Sequence, residues 1–218
     1  MTFSVISKKP TLFLKNANIS EYQFGNVNNH VPTRERKLLL NKIETFIFDV
    51  DGVLTNGNLL VMPNGLMART MNIKDGYAIQ LAIKKGYKVW IISGGNSDEV
   101  KERLEKLGVS QVFMKVTDKK VLLEELSILH STPMDQILYM GDDMPDLEAM
   151  QLVSIAACPS DAAIDIKAMA TYKAIAKGGE GCAREVIEKT LKLKRDEIDI
   201  LKRSNQKLQK LVEKKKID

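Results

Sequence analysis

Thr45-Phe46-Ile47-Phe48-Asp49-Val50-Asp51-Gly52-Val53-Leu54-Thr55 begins as a run of β-favouring apolar residues and ends in two carboxylates and a glycine. Thr45–Val50 reads as a short buried strand whose carboxyl end delivers Asp49 and Asp51 into a turn. The same grammar repeats downstream in Lys88–Ile92, Gln111–Met114, Gln136–Met140 and Leu152–Ala156. Between these runs lie helical patterns, Asp75–Lys85, Ser97–Leu107, Lys119–His130 and Met144–Gln151, with apolar residues three and four apart. Gly86, Gly108 and Pro133 stop three of them. Alternating strand and helix predicts an α/β, Rossmann-like, doubly wound parallel sheet with right-handed crossovers. One segment departs from the alternation: Leu59–Met62 and Leu66–Met71 flank Pro63-Asn64-Gly65 and predict a β-hairpin soon after the first strand.

The remainder of the 218-residue chain is less regular. Residues 1–42 are Asn-rich, contain Pro10 and Pro32, and show no sustained period, which predicts an irregular arm. Thr190–Asp218 lacks Gly and Pro and predicts a long helix, too polar for core. It carries a partial heptad, Leu191, Ile198, Asn205 and Val212 with Leu201 and Leu208 between, which Lys194 and Lys215 interrupt. Helix pairing and a solvated charged helix both fit that pattern. The formal net charge of +5 divides into +5 over 1–42, −6 over 43–188 and +6 over 189–218. The patterned body is therefore acidic, and the basic excess sits at the ends, without the aromatic platforms that single-stranded nucleic acid binding needs. No apolar run reaches the roughly 18 residues of a membrane span, and Lys8, Lys9 and Pro10 interrupt what would be a signal peptide. A cytoplasmic protein is expected, with Cys158 and Cys182 as reduced packing residues.

Ligands of an open parallel sheet gather beyond the carboxyl ends of its strands. Four segments there carry chemistry: Asp49 and Asp51; Ser93-Gly94-Gly95; Asp118-Lys119; and Gly141-Asp142-Asp143-Met144-Pro145-Asp146. Singly, each has a structural explanation, such as a turn, a helix cap or a solvated lysine. Together they bring carboxylates to one place, where repulsion is costly without a cation. The donor set is all oxygen, since His30 and His130 lie elsewhere, so a hard divalent cation such as Mg²⁺ fits better than zinc. An aspartate can attack phosphorus, and a second carboxylate two residues on can protonate the leaving oxygen. Ser93 with the Gly94 and Gly95 amides suits a phosphate, and Lys119 adds positive charge. The chemistry expected is phosphoryl transfer.

These four segments, in this order, resemble the motifs of the haloacid dehalogenase superfamily of phosphatases. The resemblance covers about Ile43 to Leu191 and divides the chain into an arm (1–42), a phosphatase domain (43–191) and a basic C-terminal helix (192–218). It implies that Asp49 is the nucleophile and Asp51 the general acid and base. By the same resemblance Ser93, Gly94 and Lys119 bind phosphate, with Lys120 a lesser candidate for the lysine. Asp49, Asp51 (through its carbonyl) and Asp142 would hold the metal, with Asp143 and Asp146 as supporting acids. Neither gap between motifs is large enough for a cap domain. Asp49–Thr55, Asn72–Tyr77 and Gly178–Glu185 further resemble the cap-less 3-deoxy-D-manno-octulosonate 8-phosphate phosphatase family. That family implies a Mg²⁺-dependent homotetramer that serves lipopolysaccharide synthesis and closes its sites with neighbouring subunits. It makes Thr55, Lys74 and Asp75 substrate-site candidates, and Glu180 and Arg184 lesser ones. The family usually has an arginine where this chain has Gly95. A phosphatase of a nine-carbon keto-deoxy sugar acid 9-phosphate would carry the same catalytic residues. A non-enzymatic phosphoacceptor or binding module with basic appendages is the alternative of a different class.

Overall fold

Four consecutive apolar or β-branched side chains at Thr45–Phe48 have no solvent face to offer, and in the computed structural model they form β1, buried on both sides. The structure describes residues 33–63 and 65–196. β1 is followed by a hairpin of β2 (Leu60–Val61) and β3 (Met67–Ala68), then α2 (Ile73–Lys84) and β4 (Lys88–Ile92). α3 (Asp98–Lys106) and β5 (Gln111–Phe113) come next, then α4 (Lys119–Leu129) and β6 (Ile137–Met140). α5 (Leu147–Met150), β7 (Ile155–Cys158), α6 (Ile164–Met169) and β8 (Tyr172–Lys173) complete the sheet, and a helix, α7, runs over 182–196.

The six-stranded sheet has the order β5-β4-β1-β6-β7-β8, and every pairing is parallel. The chain winds outward from β1 to β5 and then returns to build the other half from β6. The doubly wound expectation holds, and the reversal beside β1 places the ligand crevice at the ends of β1, β4 and β6. Alternate strand residues feed two cores. Phe46, Phe48, Val89 and Ile91 face Ala78, Ile79, Ala82, Leu104, Val186 and Ile187 on one side. Ile47, Trp90, Ile92 and Tyr139 face Leu123, Leu126, Met150 and Ile166 on the other. Each large side chain buried in this way contributes about 1.5–3 kcal/mol.

Among the described residues only the hairpin and α2 separate β1 from β4, and only α3 and β5 separate β4 from α4, so no cap domain is present there. The hairpin forms, although its strands are shorter than expected, with Met62 and Leu66 joined by a backbone hydrogen bond of 2.8 Å.

Two expectations need correction, and two elements are additional. Thr33–Lys42, read as part of the irregular arm, is helix α1, anchored by Leu40 beside the core residues Ile43 and Phe46. The strand expected at Leu152–Ala156 lies at Ile155–Cys158, because Gln151–Ser154 turns and the small Ala156, Ala157 and Cys158 fit against β6. α6 and β8 were not anticipated. The rest of the arm and the heptad positions from Ile198 onward lie outside the described residues.

Candidate active site

Asp49 leaves β1 in an extended conformation, and its Oδ1 accepts the Val50 N–H at 2.7 Å, which fixes the carboxylate at the sheet's carboxyl edge. The chain then turns through Val50–Leu54, closed by the Thr55 N–H donating to the Val50 carbonyl at 3.0 Å. Gly52 sits in this turn at φ +86°, and a Cβ there would overlap the Asp142 carboxylate. The turn therefore needs glycine both for its backbone and for the approach of Asp142. Thr55 Oγ1 accepts from the Gly52 and Gly57 N–H groups at 3.3 and 3.2 Å, so this fully buried hydroxyl staples the loop. Beneath it, the Gly179 N–H donates to the Val53 carbonyl, and Gly178 packs so closely on the Gly52 carbonyl that no side chain could be accommodated.

Lys119 opens α4, whose first turn is capped by Asp118 accepting the Val121 N–H. Its ammonium, 5% exposed, lies 2.7 Å from Asp146 Oδ1 and 3.1 Å from Asp49 Oδ2. Asp146 also accepts the Tyr139 hydroxyl at 2.8 Å and the Asp142 N–H at 3.3 Å. Burial pushes the Asp49 carboxyl up to about 6, helped by Asp146 and opposed by Lys119. Burial, then Asp49 and Asp146, raises Asp142 to about 7. Lys119 is held above its ordinary value, because Asp49 and Asp146 outweigh the effect of its burial. One ammonium thus serves a pocket that holds more acid than it can neutralise. Carboxylate oxygens of Asp49, Asp142 and Asp146 converge within 4.8 Å, an all-oxygen donor set suited to Mg²⁺.

Ser93, 1% exposed, ends β4, and its Oγ accepts the Gly95 N–H at 3.1 Å. Ser93, Gly94 and Gly95 line a cavity of about 500 Å³ together with Asp49, Asp51, Lys119, Asp142, Asp143 and Asp146. The first, second and fourth motif segments and Lys119 are therefore brought together as expected.

Other candidates lie at the rim of the cavity or away from it. Asp143 is exposed at the rim and caps the Met144 N–H. Lys120 reaches Glu148 on the surface. Lys74 is exposed in the first turn of α2. Asp75 is 2% exposed, and its Oδ1 accepts the Arg184 N–H at 2.7 Å, which makes it an anchor for the start of α7. The Arg184 side chain pairs with Glu188, and Glu180 is exposed.

Two residues at the site escaped the sequence reading. Tyr139 lies inside β6 and donates its hydroxyl to Asp146. Arg69 lies in the hairpin, and its guanidinium grips Asp51 with Nε 2.7 Å from Oδ1 and Nη2 3.0 Å from Oδ2. The signal available was the missing side chain at Gly95, which leaves room for an arginine arriving from elsewhere.

Among known proteins, the chain is 30% identical to the 3-deoxy-D-manno-octulosonate 8-phosphate phosphatase KdsC of Salmonella typhi over 165 residues, 76% of this chain and 85% of that protein. The crystal structure of the phosphatase of that name from Yersinia pestis superposes with a TM-score of 0.71 at 30% identity, covering 73% of this chain and 86% of that one. The Moraxella catarrhalis phosphatase of the same name, solved with magnesium ion, phosphate ion and KDO, superposes with a TM-score of 0.73 at 27% identity, covering 78% and 97%. A sequence family described as SmpB protein also matches, over residues 2–91. That span is under half of the chain and stops within β4, so it leaves β5 to β8 and the Lys119 and Asp142 segments unaccounted for.

Proposed function

Because the chain belongs to the KdsC family of phosphatases within the haloacid dehalogenase superfamily, we propose that it hydrolyses 3-deoxy-D-manno-octulosonate 8-phosphate to the free sugar acid and phosphate. The observation that carries this reading is the placement of Asp49, Lys119, Asp142 and Asp146 around one cavity, in a chain that spans 85% of a curated relative of that activity. The eight-carbon substrate is preferred to a nine-carbon one because it is the one in the relatives' names.

In this reading Asp49 Oδ2, on the cavity side of a carboxylate whose Oδ1 is held by Val50, attacks phosphorus. The new oxygen–phosphorus bond forms as the bond to the sugar oxygen breaks, and that oxygen takes a proton from Asp51. Water then attacks the aspartyl-phosphate, giving its proton to Asp51 and restoring Asp49. Ser93 Oγ, the Gly94 and Gly95 amides and Lys119 hold the phosphoryl oxygens, and Asp146 keeps Lys119 aimed at them. Asp49 and Asp142, with Asp146 or the Asp51 carbonyl beside them, would hold Mg²⁺, which neutralises charge on the transferring group when bound.

The same reading entails a cytoplasmic enzyme of lipopolysaccharide precursor synthesis that works as a homotetramer. What supports assembly is an open cavity beside a hairpin whose Leu60 and Val61 are 66% and 67% exposed and whose Met67 is 48% exposed. What supports a reducing compartment is that Cys158 and Cys182 are free and buried. No helix among the described residues is long and apolar enough to cross a membrane.

The test is phosphate release from 3-deoxy-D-manno-octulosonate 8-phosphate and from a nine-carbon sugar-acid 9-phosphate, with and without Mg²⁺, for wild type and Asp49→Asn. Mg²⁺-dependent turnover of the eight-carbon substrate, lost in the variant, is expected. Equal turnover by both proteins would remove the nucleophile.

A further inference from the structure

Arg69 extends from the end of β3, and its side chain is only 5% exposed although the hairpin around it is open to solvent. Nη1 donates to the Met67 carbonyl at 3.0 Å, which fixes the guanidinium to the hairpin backbone. Nε and Nη2 meet the two oxygens of Asp51, a fork whose planar geometry sets the direction of the carboxylate as well as pairing its charge. Among the described residues, the Thr55 hydroxyl also donates to that carboxylate, at 3.5 Å, too long to hold a rotamer. Across the cavity, a Cβ at Gly95 would lie 2.6 Å from Asp51 Oδ2 and 3.3 Å from Arg69 Nη2. A side chain at position 95 would therefore crowd the Arg69–Asp51 pair, and the Asp51 carboxylate would have to shift to make room for it.

We propose that Arg69 is the positioning residue for Asp51, and that Gly95 is the gap that admits it. The hairpin, rather than the loop that carries Asp51, then aims the acid–base group. A carboxylate has about four lone-pair sites, so the fork leaves one to carry the proton given to the leaving oxygen and others to accept from water. This inference rests on the acid–base role given to Asp51 above.

Misplacing a catalytic group by about 1 Å costs on the order of 100-fold. Arg69→Met should therefore lower kcat on the sugar-acid phosphate about 30- to 100-fold, with KM changed less than about threefold. The double variant Asp51→Asn/Arg69→Met should fall no more than about threefold below Asp51→Asn, since the two residues act as one unit. Arg69→Lys, which keeps the charge without the fork, should be intermediate. On p-nitrophenyl phosphate, whose leaving group needs no proton, Arg69→Met should release one nitrophenolate per site rapidly and then turn over slowly, because only the water step requires Asp51.

Multiplicative losses in the double variant, or a raised KM with kcat intact, would overturn the proposal, the second result making Arg69 a substrate ligand. If Arg69→Met fails to fold, Gly95→Ala displaces the same pair from the opposite side and is expected to give the same burst. A wild type that releases no phosphate from the sugar-acid phosphate would defeat the proposed function, while the nitrophenolate burst would still decide the role of Arg69.

Discussion

Asp142 offers a quantitative test of the site's electrostatics. Its carboxyl is raised from an ordinary 3.8 to about 7, by burial first and then by Asp49 and Asp146. In metal-free protein the native state therefore keeps a proton, between those two values, that the unfolded chain has released. Stability falls with rising pH wherever the native state binds more protons, so this contribution is complete below 3.8 and lost as the pH passes about 7. At about 1.4 kcal/mol per unit the window is worth up to about 4 kcal/mol, less what is shared with Asp49, which titrates against the same repulsion. The perturbation is Asp142→Asn, similar in size but unable to ionise, measured by urea unfolding in EDTA from about pH 4.5 to about pH 8. The variant should gain on wild type steadily across that range and be the more stable protein at the upper end. Adding Mg²⁺ at the upper end should reverse the order, because wild type then gains the ligand's binding free energy and the variant gains little. A difference between the two proteins that stays flat with pH in EDTA would refute the reasoning.

Two further outcomes separate structural from functional roles. Asp75→Ala should cost about 1 kcal/mol of stability, through lost hydrogen bonding at the start of α7, and leave KM unchanged. A raised KM at unchanged stability would return Asp75 to the substrate site. Leu60→Asp, on the exposed face of the hairpin, should dissociate the proposed tetramer while leaving subunit secondary structure intact, read by light scattering and circular dichroism. An unchanged mass would exclude the hairpin from the interface.

The parts of the molecule that could be read from the chain are those whose physics is local. β1, β4 and β6 are apolar on both faces, and that alone marks them; Asp49, Ser93 and Asp142 then follow from standing at their carboxyl ends. β7 was misplaced because Ala156, Ala157 and Cys158 are too small to stand out as a hydrophobic run, and its register is set by pairing with β6. α1 was missed because most of its side chains are polar and its docking rests on Leu40, with partly buried Leu39 packed beside it. Thr55 and Asp75 are substrate-site candidates by resemblance alone, and the chain does not reveal that the hydrogen bonds of Thr55 lie within its own loop or that Asp75 has a partner 109 residues away. Arg69 could not be assigned for a similar reason: its partner Asp51 is 18 residues distant, and the space they share is defined by an absent side chain at Gly95.

The glycine-rich segment beneath the nucleophile loop bears on when in its synthesis the protein can first work. Cys182 Sγ meets the Val53 carbonyl across 129 residues, and Gly178 and Gly179 press on the backbone of Gly52 and Thr55. A nascent chain presents Asp49 and Asp51 early, but the backing of their loop is translated more than a hundred residues later. Until that segment emerges and docks, the carboxylates belong to an unsupported loop. Onset of phosphatase activity would then report that translation has passed the last element of the sheet, and a truncated product ending before Gly178 would carry the nucleophile on a loop without its backing.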